Sequence, residues 1–186
     1  MSAKVAELLK GRIFVIDDFL SADECQNYLD IINQRHESER YFASESNFYN
    51  ECFCESEIAN TFYEKIQSYN LELNQEIVGA CDYLAVAKFQ SGEEFGIHTD
   101  TGTIDHEKGR ESAYVLLIYL NYNYQGGLTE FYHDGSQGQA FTLWTHVEPK
   151  AGRALLFDIE LWHRACPVVS GTKYWIGTDL MTHFSR

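Results

Sequence analysis

His98-Thr99-Asp100 sets an imidazole and a carboxylate two positions apart, and on an extended strand such residues project from one face. That pair is two thirds of a facial metal site. A second histidine from a neighbouring strand would complete a 2-His-1-carboxylate set, which leaves open positions on a non-haem Fe(II) for dioxygen and an electron-donating co-substrate. His163, near the end of the chain's β-rich part, is the histidine that an antiparallel roll could bring alongside. An H-x-D pair alone is more often structural, so the weight rests on the combination.

Lys173 is the fourth group, ten residues beyond His163. A 2-oxo acid such as 2-oxoglutarate chelates iron at one end and leaves a carboxylate at the other. A buried lysine supplies the charge-assisted hydrogen bond that this carboxylate needs. Without such a partner a buried ammonium is costly, so the alternative is an exposed Lys173. Its setting, Gly171-Thr172-Lys173-Tyr174-Trp175-Ile176-Gly177, reads as a turn entering an apolar strand.

The elements that must position these groups are legible in outline. Arg12–Asp17 reads as a short strand. Ser21-Ala22-Asp23-Glu24 is a capping box, followed by Cys25, Tyr28, Leu29 and Ile32 at helical spacing. A second helix is expected from Glu55 to about Tyr69, with Ile58, Phe62 and Ile66 on one stripe. Strands are expected at Tyr83–Phe89, Phe95–His98, Ala113–Asn121, Leu128–Tyr132, Gln139–Val147, Gly152–Asp158, Leu161–Ala165 and Lys173–Met181. Gly126-Gly127 and Asp134-Gly135 mark turns between them. Arg40–Cys54 and Thr101–Arg110 read as loops that would shape a substrate groove. The fold class expected is α+β, a double-stranded β-helix (jelly roll) with N-terminal helices packed on one sheet. The expected organisation is a single domain over residues 1–186, with helical support in 1–80 and the jelly-roll core in 81–186.

Bulk properties exclude several classes. The 186 residues carry 28 acidic against 14 basic side chains, a net charge of −14, and no block of Lys or Arg. Such a chain repels phosphate backbones, so nucleic acid is not the expected partner. The acidic balance is weak evidence for a basic peptide, and equally for solubility alone. No segment reaches transmembrane length. Five cysteines without scaffold spacing, and no secretory core, suggest reduced thiols and a cytoplasmic protein. Cys52-Phe53-Cys54 has no partner pair and is a poor zinc site.

Several stretches, in order, resemble the 2-oxoglutarate/Fe(II) dioxygenases of the prolyl 4-hydroxylase type. They are Phe14–Ser21 with Glu24-Cys25, Phe89–Asp100, Ile118–Asn121, Gly126–Phe131, Val147–Phe157, and His163–Val168 with Lys173. The resemblance implies iron ligands His98, Asp100 and His163, with Lys173 on the distal carboxylate of 2-oxoglutarate. It also implies that the Tyr119 hydroxyl meets that carboxylate, the alternative being a core ring satisfied elsewhere. Two positions depart from the family pattern. Phe89 stands where relatives often carry tyrosine, and Leu128 replaces a common acidic residue in the Gly-Gly turn.

The activity so implied is Fe(II)- and 2-oxoglutarate-dependent hydroxylation of a prolyl or similar residue in a peptide or protein. It would consume O2, release succinate and CO2, and draw on ascorbate as an accessory reductant. Arg164 is a candidate substrate contact at the mouth, against a salt bridge with an acidic neighbour. The pocket must exclude water, and the apolar run around Phe157 and Ile176 is a candidate wall. His106 is a minor candidate for a lid, while His36, His133, His146 and His183 read as surface residues. Trp162 and Trp175 read as packing. The competing readings are the same chemistry on a free amino acid or other small molecule, a silent jelly-roll binding module, and a zinc hydrolase. The last leaves Lys173 unexplained. Nothing in the chain specifies an oligomeric state.

Overall fold

The computed structural model describes residues 4–34, 48–135 and 138–184. The first third holds β1 (Val5–Leu9), β2 (Ile13–Ile16), helix α1 (Ala22–Gln34), β3 (Tyr49–Cys54) and helix α2 (Ser56–Gln67). There follow β4 (Gly79–Ala80), β5 (Tyr83–Gln90), β6 (Phe95–His98), β7 (Ile104–Asp105), β8 (Arg110–Tyr119) and β9 (Gln125–Gly126). The chain ends with β10 (Thr129–His133), β11 (Thr142–Val147), β12 (Ala154–Asp158), β13 (His163–Ala165), β14 (Val168–Ser170) and β15 (Thr172–His183).

These strands form a jelly roll. The large sheet runs β1-β2-β12-β8-β15-β5-β3, and the small sheet runs β11-β10-β13-β6. Every pairing among the described residues is antiparallel. Where the sheets face each other, Phe131 of the small one meets Phe157 of the large one edge to face, with ring centroids 5.2 Å apart. No helix among the described residues is long and apolar enough to cross a membrane.

Strand alternation divides the large sheet into two faces. Leu84 and Val86 of β5, Tyr114, Leu116 and Ile118 of β8, and Ile176 and Leu180 of β15 pack with Cys25 and Ile32 of α1 and Ala59, Phe62 and Ile66 of α2. Burying these side chains contributes about 1.5–3 kcal/mol each, so the helices are held by this face rather than by their own propensity. The capping box forms as expected, with Glu24 N–H donating to Ser21 Oγ at 3.2 Å and Ser21 N–H donating to Glu24 Oε2 at 2.7 Å. It starts α1 by giving partners to the N–H groups of Ser21 and Glu24, which no intrahelical carbonyl reaches.

Three expectations need correction. Within Arg40–Cys54, residues 49–54 form β3, which pairs with β5 from Tyr49↔Lys88 to Cys54↔Tyr83. The alternating apolar signal is absent there because the inward positions are Asn50 and Cys52, which line a cavity. Residues 40–47 of that stretch, and His36, lie outside the described residues. Within Thr101–Arg110, Ile104↔Glu111 and Asp105↔Arg110 make a short ladder, so the polar stretch doubles back on β8. Ile176 faces the helices and not the cavity, because it is odd-spaced from Lys173 on one strand.

Candidate active site

A cavity of about 410 Å³ lies between the sheets, with His98, Asp100, His163 and Lys173 on its wall. β6 and β13 are neighbours, and His163 stands opposite His98 in their register. The two rings come within 4.2 Å, centroid to centroid. His98 ends its strand, and Asp100 lies two residues beyond it in irregular chain. The carboxylate is therefore carried by the start of a loop, not by the strand that the H-x-D spacing suggests.

The three side chains nonetheless converge. Asp100 Oδ1 lies 3.5 Å from His98 Nε2, and its Oδ2 lies 3.5 Å from His163 Nε2. One ligand atom from each residue falls within 4.8 Å of the others. His98 Nδ1–H donates to Gly96 O at 2.7 Å and His163 Nδ1–H to Leu161 O at 2.9 Å. A carbonyl only accepts, so each bond fixes the tautomer and leaves Nε2 as a free lone pair aimed at the carboxylate. Burial holds the His163 imidazole below its ordinary value, and the opposing charge of Asp100 does not reverse this. Burial works to raise the Asp100 carboxyl, but the neighbouring His98 and His163 outweigh it and keep it low. Neutral imidazoles and an ionised carboxylate are the forms that bind a metal.

Lys173 is 1% exposed, so the solvent-exposed alternative does not hold. Its Nζ donates to Gly127 O at 2.6 Å and lies 5.5 and 5.3 Å from the rings of Phe89 and Tyr119. An ammonium has three donors, and one carbonyl with two ring faces leaves it under-compensated. Burial accordingly pushes Lys173 down to about 7. Gly127, with φ 68°, must be glycine for this contact, since a Cβ there would come 3.0 Å from Lys173 Cδ. The departure at Phe89 thus places an apolar ring under the ammonium, stacked 4.2 Å from Phe48.

Tyr119 is fully buried beside Lys173, and its hydroxyl lies 2.7 Å from Thr129 Oγ1. Burial raises the phenol well above its usual value, so it remains a neutral donor. Arg164 does not line the cavity; its Nε lies 3.0 Å from Glu130, the acidic-neighbour pairing. His106 sits in the turn after β7, with its ring 6.0 Å from Phe184, and is likewise absent from the wall. Trp175 lines the cavity, whereas Trp162 packs on Phe141 at 4.9 Å.

Sequence reasoning missed three residues. Thr129 lines the wall and meets the hydroxyl of Tyr119 behind it. Tyr124 packs against the Lys173 side of the fold, and its hydroxyl is a buried polar atom with no hydrogen-bond partner among the described residues. Asp179 lines the cavity on β15, and its even spacing from Lys173 was a readable signal.

The donor set fits a ferrous ion with a 2-oxo acid: three metal-competent atoms and a buried, under-compensated ammonium on the wall of one cavity. Residues 84–178, just over half of the chain, match the family described as the 2OG-Fe(II) oxygenase superfamily. The chain belongs to that superfamily, and it is a 2-oxoglutarate-dependent dioxygenase using Fe(II) and O2. No curated protein is significantly similar to it in sequence.

Among solved structures, it is similar to a Pseudomonas putida prolyl-4-hydroxylase, with TM-score 0.68, 16% identity and 94% of each chain covered. It is also similar to a viral collagen prolyl hydroxylase from Paramecium bursaria Chlorella virus-1 in complex with 2-oxoglutarate. There the TM-score is 0.65 at 19% identity, covering 94% of this chain and 97% of that one. A Trichoplax adhaerens prolyl hydroxylase bound to a hypoxia inducible factor oxygen degradation domain peptide fragment gives TM-score 0.64 at 18% identity. That match covers 92% of this chain and 84% of the other. At these identities the likeness establishes the shared jelly-roll fold.

Proposed function

We propose that this dioxygenase hydroxylates a prolyl or similar residue in a peptide or protein, with succinate and CO2 as co-products. The observation that carries the reading is the convergence of His98, Asp100 and His163 on one wall of a cavity whose inner end holds the buried Lys173. A second support is that the shared fold is found in enzymes named as prolyl hydroxylases, one with a bound peptide.

In this reading His98, Asp100 and His163 hold the ferrous ion, and Lys173 pairs with the distal carboxylate of 2-oxoglutarate. When bound, the metal with its co-substrate supplies the oxidising power that replaces C–H with C–OH. The protein's own share is placement and exclusion. The Nδ1–H bonds to Gly96 O and Leu161 O hold both rings in the ligating tautomer. Lys173 and the neutral hydroxyls of Tyr119 and Thr129 fix the far end of the co-substrate by charge and hydrogen bonds. Phe157, Val115, Leu117 and Trp175 line the chamber with apolar surface that keeps water out. No general acid or base is required in this reading.

The test is succinate release from 2-oxoglutarate under Fe(II) and ascorbate, with proline-containing peptides and with free amino acids. Stimulation by peptides, with one oxygen atom added to the peptide by mass spectrometry, is the expected result. Stimulation by free amino acids alone would replace the peptide reading with the small-molecule one.

A further inference from the structure

Away from Lys173 the inner face of β15 changes character. Asp179 stands six residues beyond Lys173 on the same face, about 20 Å along the strand at 3.3 Å per residue. Between them the wall is low. Gly177, on which the β8 backbone closes, pairs with Ala85, and Ala85 pairs on its other side with Cys52, so only a methyl group and a thiol face the cavity from that row. Bulky side chains fill the wall nearer Lys173, where Trp175 and Phe89 line it. Asp179 therefore borders open volume, with Asn50 and Thr103 also on the wall.

The carboxylate itself is under-compensated. Ser112 Oγ donates to Asp179 Oδ2 at 2.6 Å. Among the described residues no other donor reaches it, and no cation forms an ion pair with it. A carboxylate offers about four acceptor sites, and one hydroxyl satisfies one of them. Burial pushes the Asp179 carboxyl up to about 6, against the Ser112 bond and with the charge of Asp100 adding to the rise. Asp100 is committed to the histidine pair, which leaves Asp179 as the carboxylate on the cavity wall still open to a ligand.

We propose that Asp179 is the specificity-determining residue of the substrate side of this cavity, and that the substrate carries an ammonium or guanidinium group near the carbon that is hydroxylated. This rests on the dioxygenase reading above and deepens it by naming the charge of the substrate. A cation supplies the missing donors, and its attraction is strengthened in an enclosed site of low dielectric. An uncharged substrate would cover the carboxylate without pairing it, so the same residue selects against neutral and acidic compounds. The net charge of −14 favours the approach of cations at low salt.

The experiment pairs blocked peptides that differ only in charge: Lys-Pro-Ala against norleucine-Pro-Ala, and Ala-Pro-Arg against Ala-Pro-citrulline. Free lysine and norleucine form a non-peptide pair. Affinity is read by calorimetry on the anaerobic Fe(II)–2-oxoglutarate complex, and turnover by succinate release in air. The expected result is a preference of ~10-fold or more for the cationic member of at least one pair, a size typical of an enclosed charge pair. Asp179→Asn keeps the shape and the acceptor for Ser112, and should shrink that ratio to about 2-fold as the charge term is lost. Asp179→Lys should invert it in favour of an Ala-Pro-Glu peptide.

Equal affinity for both members of every pair in the wild-type protein would overturn the proposal. So would an Asp179→Asn protein that keeps its melting temperature and loses affinity equally for charged and neutral members. A charge preference seen only with free amino acids would uphold Asp179 and sink the peptide reading, so the two fail separately.

Discussion

The two faces of the large sheet are built from the same strands and carry opposite properties. On β15, Ile176 and Leu180 join an apolar core with the two helices, while Lys173, Trp175, Gly177 and Asp179 line the cavity. On β8 the same division sets Tyr114, Leu116 and Ile118 against Val115, Leu117 and Tyr119. The helix face gains from burial and holds the strands in register. The cavity face spends stability on a buried ammonium and a partly buried carboxyl that lack full partners. The lesson is that one face supplies rigidity and the other uses it. Groups this poorly satisfied keep their places because the opposite side of each strand is locked.

That comparison can be broken at its sharpest point by the small sheet's ligand. His163→Ala should lower turnover by more than ~100-fold and abolish stoichiometric Fe(II) binding, with the fold retained by circular dichroism. A variant that still binds one ferrous ion and releases succinate at the wild-type rate would reject the metal assignment.

Next in size come two positions three residues apart on β15. Lys173→Ala should raise the KM for 2-oxoglutarate by on the order of 10- to 100-fold, the loss of a charge-assisted anchor, without lowering thermal stability. Ile176→Ala should do the reverse, costing about 2–5 kcal/mol in a denaturant titration and leaving that KM unchanged. Should both substitutions move both quantities alike, the division of labour between the faces would be wrong.

The finest test uses protons. Lys173 titrates at about 7 in the folded protein. In an unfolded chain a lysine titrates near ~10.4, so between the two values the unfolded state holds the extra proton and stability of the co-substrate-free protein rises with pH. A bound carboxylate favours the charged form and moves the folded value up. Binding of 2-oxoglutarate at about pH 8 should therefore take up a proton, as a binding enthalpy that depends on buffer ionisation. Lys173→Met should lose that dependence. An unchanged buffer dependence in the variant would place the proton elsewhere.

Some of this was readable before any coordinates. The Ser21–Glu24 cap, the stripe of α2 and most core strands follow from local chemistry and period. Parity along β15 also separates Lys173 and Asp179 from Ile176, a signal that the expectation of Ile176 as a cavity wall did not apply and that left Asp179 unnoticed. β3 was not readable, because its inward residues are polar or small and its pairing partners, from Tyr49↔Lys88 to Cys54↔Tyr83, are distant in the chain. The under-compensation of Lys173 and Asp179 was equally hidden. It depends on which groups fail to reach them, and a sequence does not record absences in space.

By itself, then, the order of residues determined the ligand types, the shared face of Lys173 and Asp179, and the net charge of −14. Only the tertiary structure decided that His163 stands opposite His98, that Asp100 reaches both imidazoles from a loop, and that Lys173 meets a glycine carbonyl. The reason is one of range. Capping, period and charge act over a few residues, whereas convergence on one ion needs the register of two strands some sixty-five residues apart. That register is set by the packing of the whole roll.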